Sequence, residues 1–242
     1  MSAVERIRAY YEAILPFYEA SLQDRGDLPF WESIASRWRS PRILELGCGT
    51  GRVTAVLSRH GTVTAADLLV EMVARAKATV PEARLLAADL RTLELGSRFD
   101  LVVLANDPMS HLTSEKDRAA AAERIARHVA PGGHVVIEGL YRPLRGGRSR
   151  VTRHVGREVG AFTVEERWTP EGRGPNFTAT YRFADASRVV EVTSKLRAWT
   201  LEDVELLRQA GLRVEKLSGN FDERPFTRAS ARMLIFATGD GR

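Results

Sequence analysis

Cysteine is nearly absent. Cys48 is the only one among 242 residues, which excludes both an intrachain disulfide framework and a cysteine metal cluster. Long apolar runs are missing as well, and none approaches the roughly 20 residues that cross a bilayer. The opening stretch, Met1-Ser2-Ala3-Val4-Glu5-Arg6, carries charge where a secretory signal would be apolar. A cytoplasmic protein with no membrane partner is expected. The histidines at 60, 111, 128, 134 and 154 are scattered, so no metal site is expected. Lysine is scarce, with only Lys77, Lys116, Lys195 and Lys216 among 36 basic residues. That skew toward arginine speaks of base composition more than of function. The net charge of +5 is spread along the chain rather than gathered in a patch, so nucleic acid is not an expected partner.

What is present is an ordinary globular balance, 44% hydrophobic and 28% charged, enough for one full core and an embellishment. Val4, Ile7, Tyr11, Ile14, Leu15 and Tyr18 recur at helical spacing, and Pro16 should kink or end that helix near Leu15. A short helix is expected around Pro29–Arg39. The short apolar stretch Arg42–Leu46 then reads as a strand, running into Gly47-Cys48-Gly49-Thr50-Gly51 and a helix through Arg52–Arg59. Strands are expected at Val63–Ala66, Ala83–Ala87, Phe99–Leu104 and His134–Glu138. Between them lie a helix carrying Leu69, Met72, Val73, Ala76 and Val80, and another opened by Ser114 and Asp117 and closed before Pro131-Gly132-Gly133. Strands alternating with helices imply βαβ units and a parallel sheet.

The rhythm breaks after Tyr141. Residues 142–199 hold three runs rich in β-formers, Val159–Trp168, Phe177–Phe183 and Val189–Trp199, with a turn signal at Glu171-Gly172-Arg173-Gly174-Pro175. They read as an antiparallel layer added to the parallel core. Thr200 then caps a helix with Val204 and Leu207 facing inward and Gly211 at its end, and Leu212–Ser218 and Ala231–Ala237 supply two last strands.

The chemistry concentrates at Glu45-Leu46-Gly47-Cys48-Gly49-Thr50-Gly51. Glycines after a buried strand let the backbone turn tightly and approach a ligand closely, and a following helix offers its first N–H groups. A dinucleotide fingerprint, G-x-G-x-x-G, would place its third glycine at position 52, where the chain has Arg52. Glu45-x-Gly47-x-Gly49-x-Gly51 resembles motif I of the class I S-adenosylmethionine (SAM)-dependent methyltransferases. Asp67 at the end of the second strand, Asp89 after the third, Phe99–Val103 and Pro131-Gly132-Gly133 resemble the family's further landmarks in order.

The resemblance implies a Rossmann-like α/β fold with a seven-stranded sheet of order 3-2-1-4-5-7-6 and an antiparallel insertion after the fifth strand. It implies a single domain. Within it, 1–40 would form a helical lid, 41–140 the SAM-binding core, 142–199 a roof over the substrate, and 200–242 the final helix and two strands. Glu45 with Gly47, Cys48, Gly49 and Gly51 would hold the methionine end, and Asp67 the ribose. Leu68 and Met72 would flank the adenine, Asp89 and Leu90 would close its far edge, and Ala105 or Asn106 would lie near the sulfonium. Tyr18 on the first helix either folds over the cofactor or simply packs that helix. The reaction would transfer methyl to a nitrogen, or an oxygen, of a small molecule, leaving S-adenosylhomocysteine. A non-methylating SAM enzyme or a SAM-binding protein on the same scaffold is the alternative.

The acceptor side is read from Ala105-Asn106-Asp107-Pro108-Met109-Ser110-His111, at the carboxyl end of the fourth strand. It partly resembles the Asn/Asp-Pro-Pro-aromatic motif of amino-group methyltransferases but lacks the second proline and the aromatic. The candidates for catalysis are His111 as base or as structural histidine, Asp107 as orienter of an amine, and Tyr141 as pocket lining or packing. Arg148, Arg150, Arg153 and Arg157 either bind an anionic group or form a solvated face. Trp168, Tyr181 and Trp199 line the added layer or pack it down.

Overall fold

Burial on both faces dictates the central strands. Strand β1 (Arg42–Leu46) hides every residue after Arg42, and alternate residues belong to opposite faces of the sheet. The computed structural model describes residues 3–141, 147–157 and 159–240. In it β1 lies between two parallel neighbours, β2 (Thr62–Asp67) and the Phe99–Leu104 strand, β4. Strand β3 (Arg84–Ala87) adds an edge beside β2, and β5 (Val129–Leu140) follows β4. The strand Arg232–Gly239, β11, runs antiparallel to β5, and Leu212–Ser218, β10, pairs antiparallel with it at the other edge. The order is therefore β3-β2-β1-β4-β5-β11-β10. Counted within this sheet, that is the 3-2-1-4-5-7-6 order implied by the resemblance.

Helices cover both faces. Leu44, Leu46, Val102, Leu104 and Ile137 pack with Ala121 and Ile125 of α5 (Glu115–His128) and with Val204 and Leu207 of α6 (Leu201–Gln209). Ile43, Val63, Leu101 and Val103 pack with α2 (Leu28–Ala35), α3 (Thr54–Leu57) and α4 (Val70–Thr79) through Trp31, Ile34, Leu57 and Ala76. Thr200 closes the start of α6 with a reciprocal capping box to Asp203, and the Ser114 hydroxyl accepts the Asp117 amide at the start of α5. No helix among the described residues is long and apolar enough to cross a membrane.

The chain divides into two compact units: Asp27–Arg142 with Trp199–Arg242, which holds the seven-stranded sheet, and Met1–Gly26 with Pro143–Ala198. In the second, β6 (Arg148–Gly156), β7 (Gly160–Pro170), β8 (Asn176–Ala184) and β9 (Val189–Arg197) form an antiparallel sheet in sequence order. Helix α1 (Ala3–Leu22) packs Ile14, Phe17 and Ala20 against Phe162, Val164 and Phe183 of that sheet.

Four expectations change. Strand β6 was not among the three predicted runs. Its alternation is present but inverted in polarity, because Val151 and Val155 are the exposed side (64% and 70%) while Thr152 and His154 are half-buried. Of the two outcomes expected of Pro16, a kink or an end near Leu15, the end does not occur, since helix α1 runs on to Leu22. Burying Ile14, Phe17 and Ala20 on both sides of the proline outweighs a lost hydrogen bond that costs roughly 3 kcal/mol. Helix α3 is one turn rather than a full helix through Arg59. Strand β5 starts at Val129, and its register breaks between Phe99↔Val129 and Leu101↔His134, so Pro131-Gly132-Gly133 is a bulged turn inside the strand.

Candidate active site

The glycine loop is shaped by three left-handed residues, Gly47 (φ 77), Gly49 (φ 55) and Gly51 (φ 89). Its turn is fastened to β2, where Gly47 and Cys48 both donate to the Ala66 carbonyl, at 2.8 and 3.1 Å. Asp67, the last residue of β2, accepts the Gly49 amide at 2.9 Å and the Leu69 amide at 3.0 Å. One carboxylate thus bridges the loop and the segment leading into α4, where Leu68 is half-buried and Met72 buried. Burial raises the Asp67 pKa against these backbone bonds. Cys48 is buried and its thiol is pushed far up by that burial, so it is no nucleophile at neutral pH.

Glu45 is almost wholly buried, and the Thr54 hydroxyl donates to it at 2.6 Å. Burial pushes its carboxyl up to about 8. Arg52, the residue that breaks the dinucleotide pattern, makes a forked ion pair with the buried Asp27 at 2.7 and 2.8 Å. Asp89 is gripped by Arg91, which also reaches Asp117 at 2.8 Å. The guanidinium holds the Asp89 carboxyl below its usual range, and Leu90 beside it is half-buried.

Beyond Ala105, at the end of β4, Asn106 (φ 58) and Asp107 (φ 53) are consecutive left-handed residues without glycine's freedom. Such strain persists only where surroundings over-determine it, and here they do. The Asn106 amide donates to Glu138 at 2.8 Å. Asp107 accepts the Leu140 amide on one oxygen and the Trp199 indole N–H on the other, each at 2.9 Å. Burial pushes Asp107 up to about 6, opposed by the nearby Arg118. Pro108 then sits against Gly47, where a Cβ would come within 2.8 Å of its Cγ. The predicted acceptor segment and the glycine loop are therefore in direct contact.

The 3-10 turn Pro108–His111 is pinned from behind by Arg118, which is fully buried. Its guanidinium donates to the Leu112 and Met109 carbonyls at 3.0 and 3.2 Å and pairs with buried Asp203 at 3.1 Å. His111 closes the turn, its imidazole held down at about 4 by burial. Tyr141 packs edge-on to Phe226, 4.5 Å between centroids. Tyr18 belongs to the other unit, in an edge-on cluster with Tyr11. Arg150, Arg153 and Arg157 are exposed, whereas the side chain of Arg148 lies outside the described residues, as does the start of the expected insertion at 142–146.

Sequence reasoning missed Asp27, Arg118, Glu138 and the tie between Trp199 and Asp107. Arg118 alone left a signal, since it stands three, four and seven residues before Ala121, Ala122 and Ile125, on the apolar stripe of α5.

A family model described as a methyltransferase domain matches residues 43–133. A dTDP-3-amino-3,6-dideoxy-alpha-D-glucopyranose N,N-dimethyltransferase of Streptomyces fradiae is 31% identical over 202 residues, covering 76% of this chain and 75% of the relative. The chain belongs to the SAM-dependent methyltransferases. A SAM-bound amino pentose methyltransferase from Micromonospora echinaspora is 28% identical, with 92% of this chain and 96% of that one aligned at a TM-score of 0.75. A SAM-dependent methyltransferase from Clostridium acetobutylicum, 18% identical, shares the fold at a TM-score of 0.79 over 96% of this chain and 99% of its own. The cofactor of this methyltransferase is SAM, and the residues fit it. The loop turns on three left-handed glycines that put no side chain between its backbone and a ligand, and the Asp67 carboxylate, an acceptor, stands beside it at the end of β2.

Proposed function

We propose that this methyltransferase N-methylates the amino group of a small molecule in the cytoplasm, with an amino sugar carried on a nucleoside diphosphate as the acceptor class. The observation that carries the proposal is the 31% identity to the Streptomyces fradiae N,N-dimethyltransferase over three quarters of both chains. The strained Asn106-Asp107-Pro108 turn against the glycine loop agrees with it.

SAM supplies a methyl group on a sulfonium, an electrophile that needs no further activation. This chain's residues have to bind it and align an acceptor. In this reading Gly47, Cys48, Gly49 and Gly51 hold the methionine end, and the buried Glu45, pushed up to about 8 by burial, pairs with the ammonium there. Asp67 has acceptor capacity left for ribose hydroxyls after its two backbone bonds. Leu68 and Met72 flank the adenine, Asp89 and Leu90 its edge, and Ala105 and Asn106 face the reacting end. Tyr18 is proposed as a lid contact.

An amine attacks with its own lone pair, so no strong base is needed before the step. That suits His111, whose pKa near 4 makes it a neutral hydrogen-bonding group and a weak base. Asp107, with both oxygens already engaged, serves as a support of the turn, and Tyr141 as lining beside it. The test is S-adenosylhomocysteine formation, followed by mass spectrometry of product, across a panel of amine and hydroxyl acceptors. Amino sugar nucleotides should gain one or two methyl groups on nitrogen. Turnover confined to hydroxyl acceptors would overturn the proposal.

A further inference from the structure

Trp199 is the first residue of the core unit after the inserted sheet, and its side chain is 1% exposed. It is fixed at three points within that unit. Its backbone amide donates to the Leu140 carbonyl at 2.6 Å, its indole N–H donates to Asp107 at 2.9 Å, and the Arg118 guanidinium lies 5.1 Å from its ring centroid. The ring lies so close to Gly139 that a Cβ there would come within 2.5 Å of its Cγ. Leu140, one residue on, supplies the second donor to Asp107. The same short stretch of β5 thus both seats the indole and holds the carboxylate that the indole reaches.

We propose that Trp199 is a positioning residue for the acceptor, acting through Asp107 to keep the Asn106-Asp107-Pro108 turn in its left-handed form. The proposal rests on the reading of that turn as the acceptor side of the site. Two adjacent non-glycine residues at positive φ are costly, and the Asp107 carboxylate is fastened by two donors whose separation a shift of the turn would break. One donor is backbone and belongs to the sheet. The other is the indole, the member of the pair that a substitution can remove.

The test compares W199F, D107N and the double variant with the wild type. Phenylalanine keeps a ring over Gly139 and loses the donor. Asparagine keeps the size of Asp107 but turns an NH2 toward one of its two donors. Three quantities are read: S-adenosylhomocysteine affinity by calorimetry, KM and kcat with a nucleoside-diphosphate amino sugar, and amide hydrogen exchange. W199F should raise the acceptor KM about tenfold, the scale of one hydrogen bond to a charged group, with kcat changed much less. S-adenosylhomocysteine affinity should stay within about twofold of wild type, well under the effect expected of one lost charged hydrogen bond. Exchange should quicken at Leu140 and across residues 106–112 but not in the glycine loop. The double variant should be no worse than D107N alone, because both remove one coupled interaction.

Unchanged KM and unchanged exchange in W199F would overturn the proposal, and so would effects of the two substitutions that multiply. Exchange is read without substrate. A wild type that methylates no amine, with a W199F turn that still loosens, refutes the acceptor class and upholds the positioning.

Discussion

Arg118→Met is the sharpest test of how the site is held. The guanidinium has no exposure, and Asp203, its partner at 3.1 Å, has almost none. Removing one member of a buried pair leaves the other charge without compensation, which typically costs about 3–5 kcal/mol. Two carbonyls of the 108–112 segment lose their donor as well. A domain of this size shifts its Tm by about 2–4 °C per kcal/mol, so a fall of roughly 6–20 °C is expected by calorimetry. Arg118→Met/Asp203→Asn should recover much of it, because the amide removes the stranded charge and keeps an oxygen for the Thr200 amide, now 2.8 Å away. A loss below about 1 kcal/mol in the single variant, or no recovery in the double, would refute the reading of Arg118 as a paired internal strut.

Three further outcomes follow from the same geometry. Asp67→Asn should abolish measurable SAM and S-adenosylhomocysteine binding in calorimetry, because it turns an NH2 toward the Gly49 or Leu69 amide and loses acceptor capacity for a diol; micromolar binding by the variant would contradict it. Gly139→Ala should destabilise by about 1–3 kcal/mol, the usual cost of overpacking, and should raise the acceptor KM together with W199F-like exchange at Leu140, since the new methyl displaces the indole. Stability should also depend on pH through Glu45. Its folded pKa near 8 lies above the ordinary 4.5, so the folded state keeps a proton the unfolded chain has released, and stability falls as pH rises from about 4.5 to 8. Glu45→Gln should flatten that decline in urea titrations across the window. His111 acts oppositely, its stability contribution lost as pH falls from 6.5 toward 4.

The parallel core was legible because its signals are local. Glycines at 47, 49 and 51, an acid at the end of β2 and uninterrupted apolar strands each speak for themselves within a few residues. The Phe99–Leu104 strand and the Thr200 cap needed nothing distant to be seen. Strand β6 was hidden because its valines face outward, which reverses the pattern that marks a half-buried strand. Pro16 does not end its helix because a local rule is outweighed by packing of Phe17 and Ala20. In the site, the contacts that hold the acceptor turn join residues 32, 33 and 92 positions apart, Asn106 to Glu138, Asp107 to Leu140 and Asp107 to Trp199. No window of sequence contains them.

That difference separates the two halves of the site physically. The cofactor side is built from backbone: a loop that turns on glycines and one carboxylate that reads two amides, so its residues must stand in fixed order along the chain. The acceptor side is built from side chains that meet only in the fold, with Glu138 and Leu140 on β5, Arg118 on α5 and Trp199 at the return from the inserted sheet. Pro108 against Gly47 is where the halves touch, and it makes their geometries interdependent at one van der Waals contact. A change behind the turn, at Trp199 or Gly139, therefore reaches the acceptor through Asp107 without altering the hydrogen bonds of the glycine loop. A side chain at Gly47 does the opposite, straining a left-handed position of the loop and pressing on Pro108 at once, so it should damage cofactor and acceptor binding together.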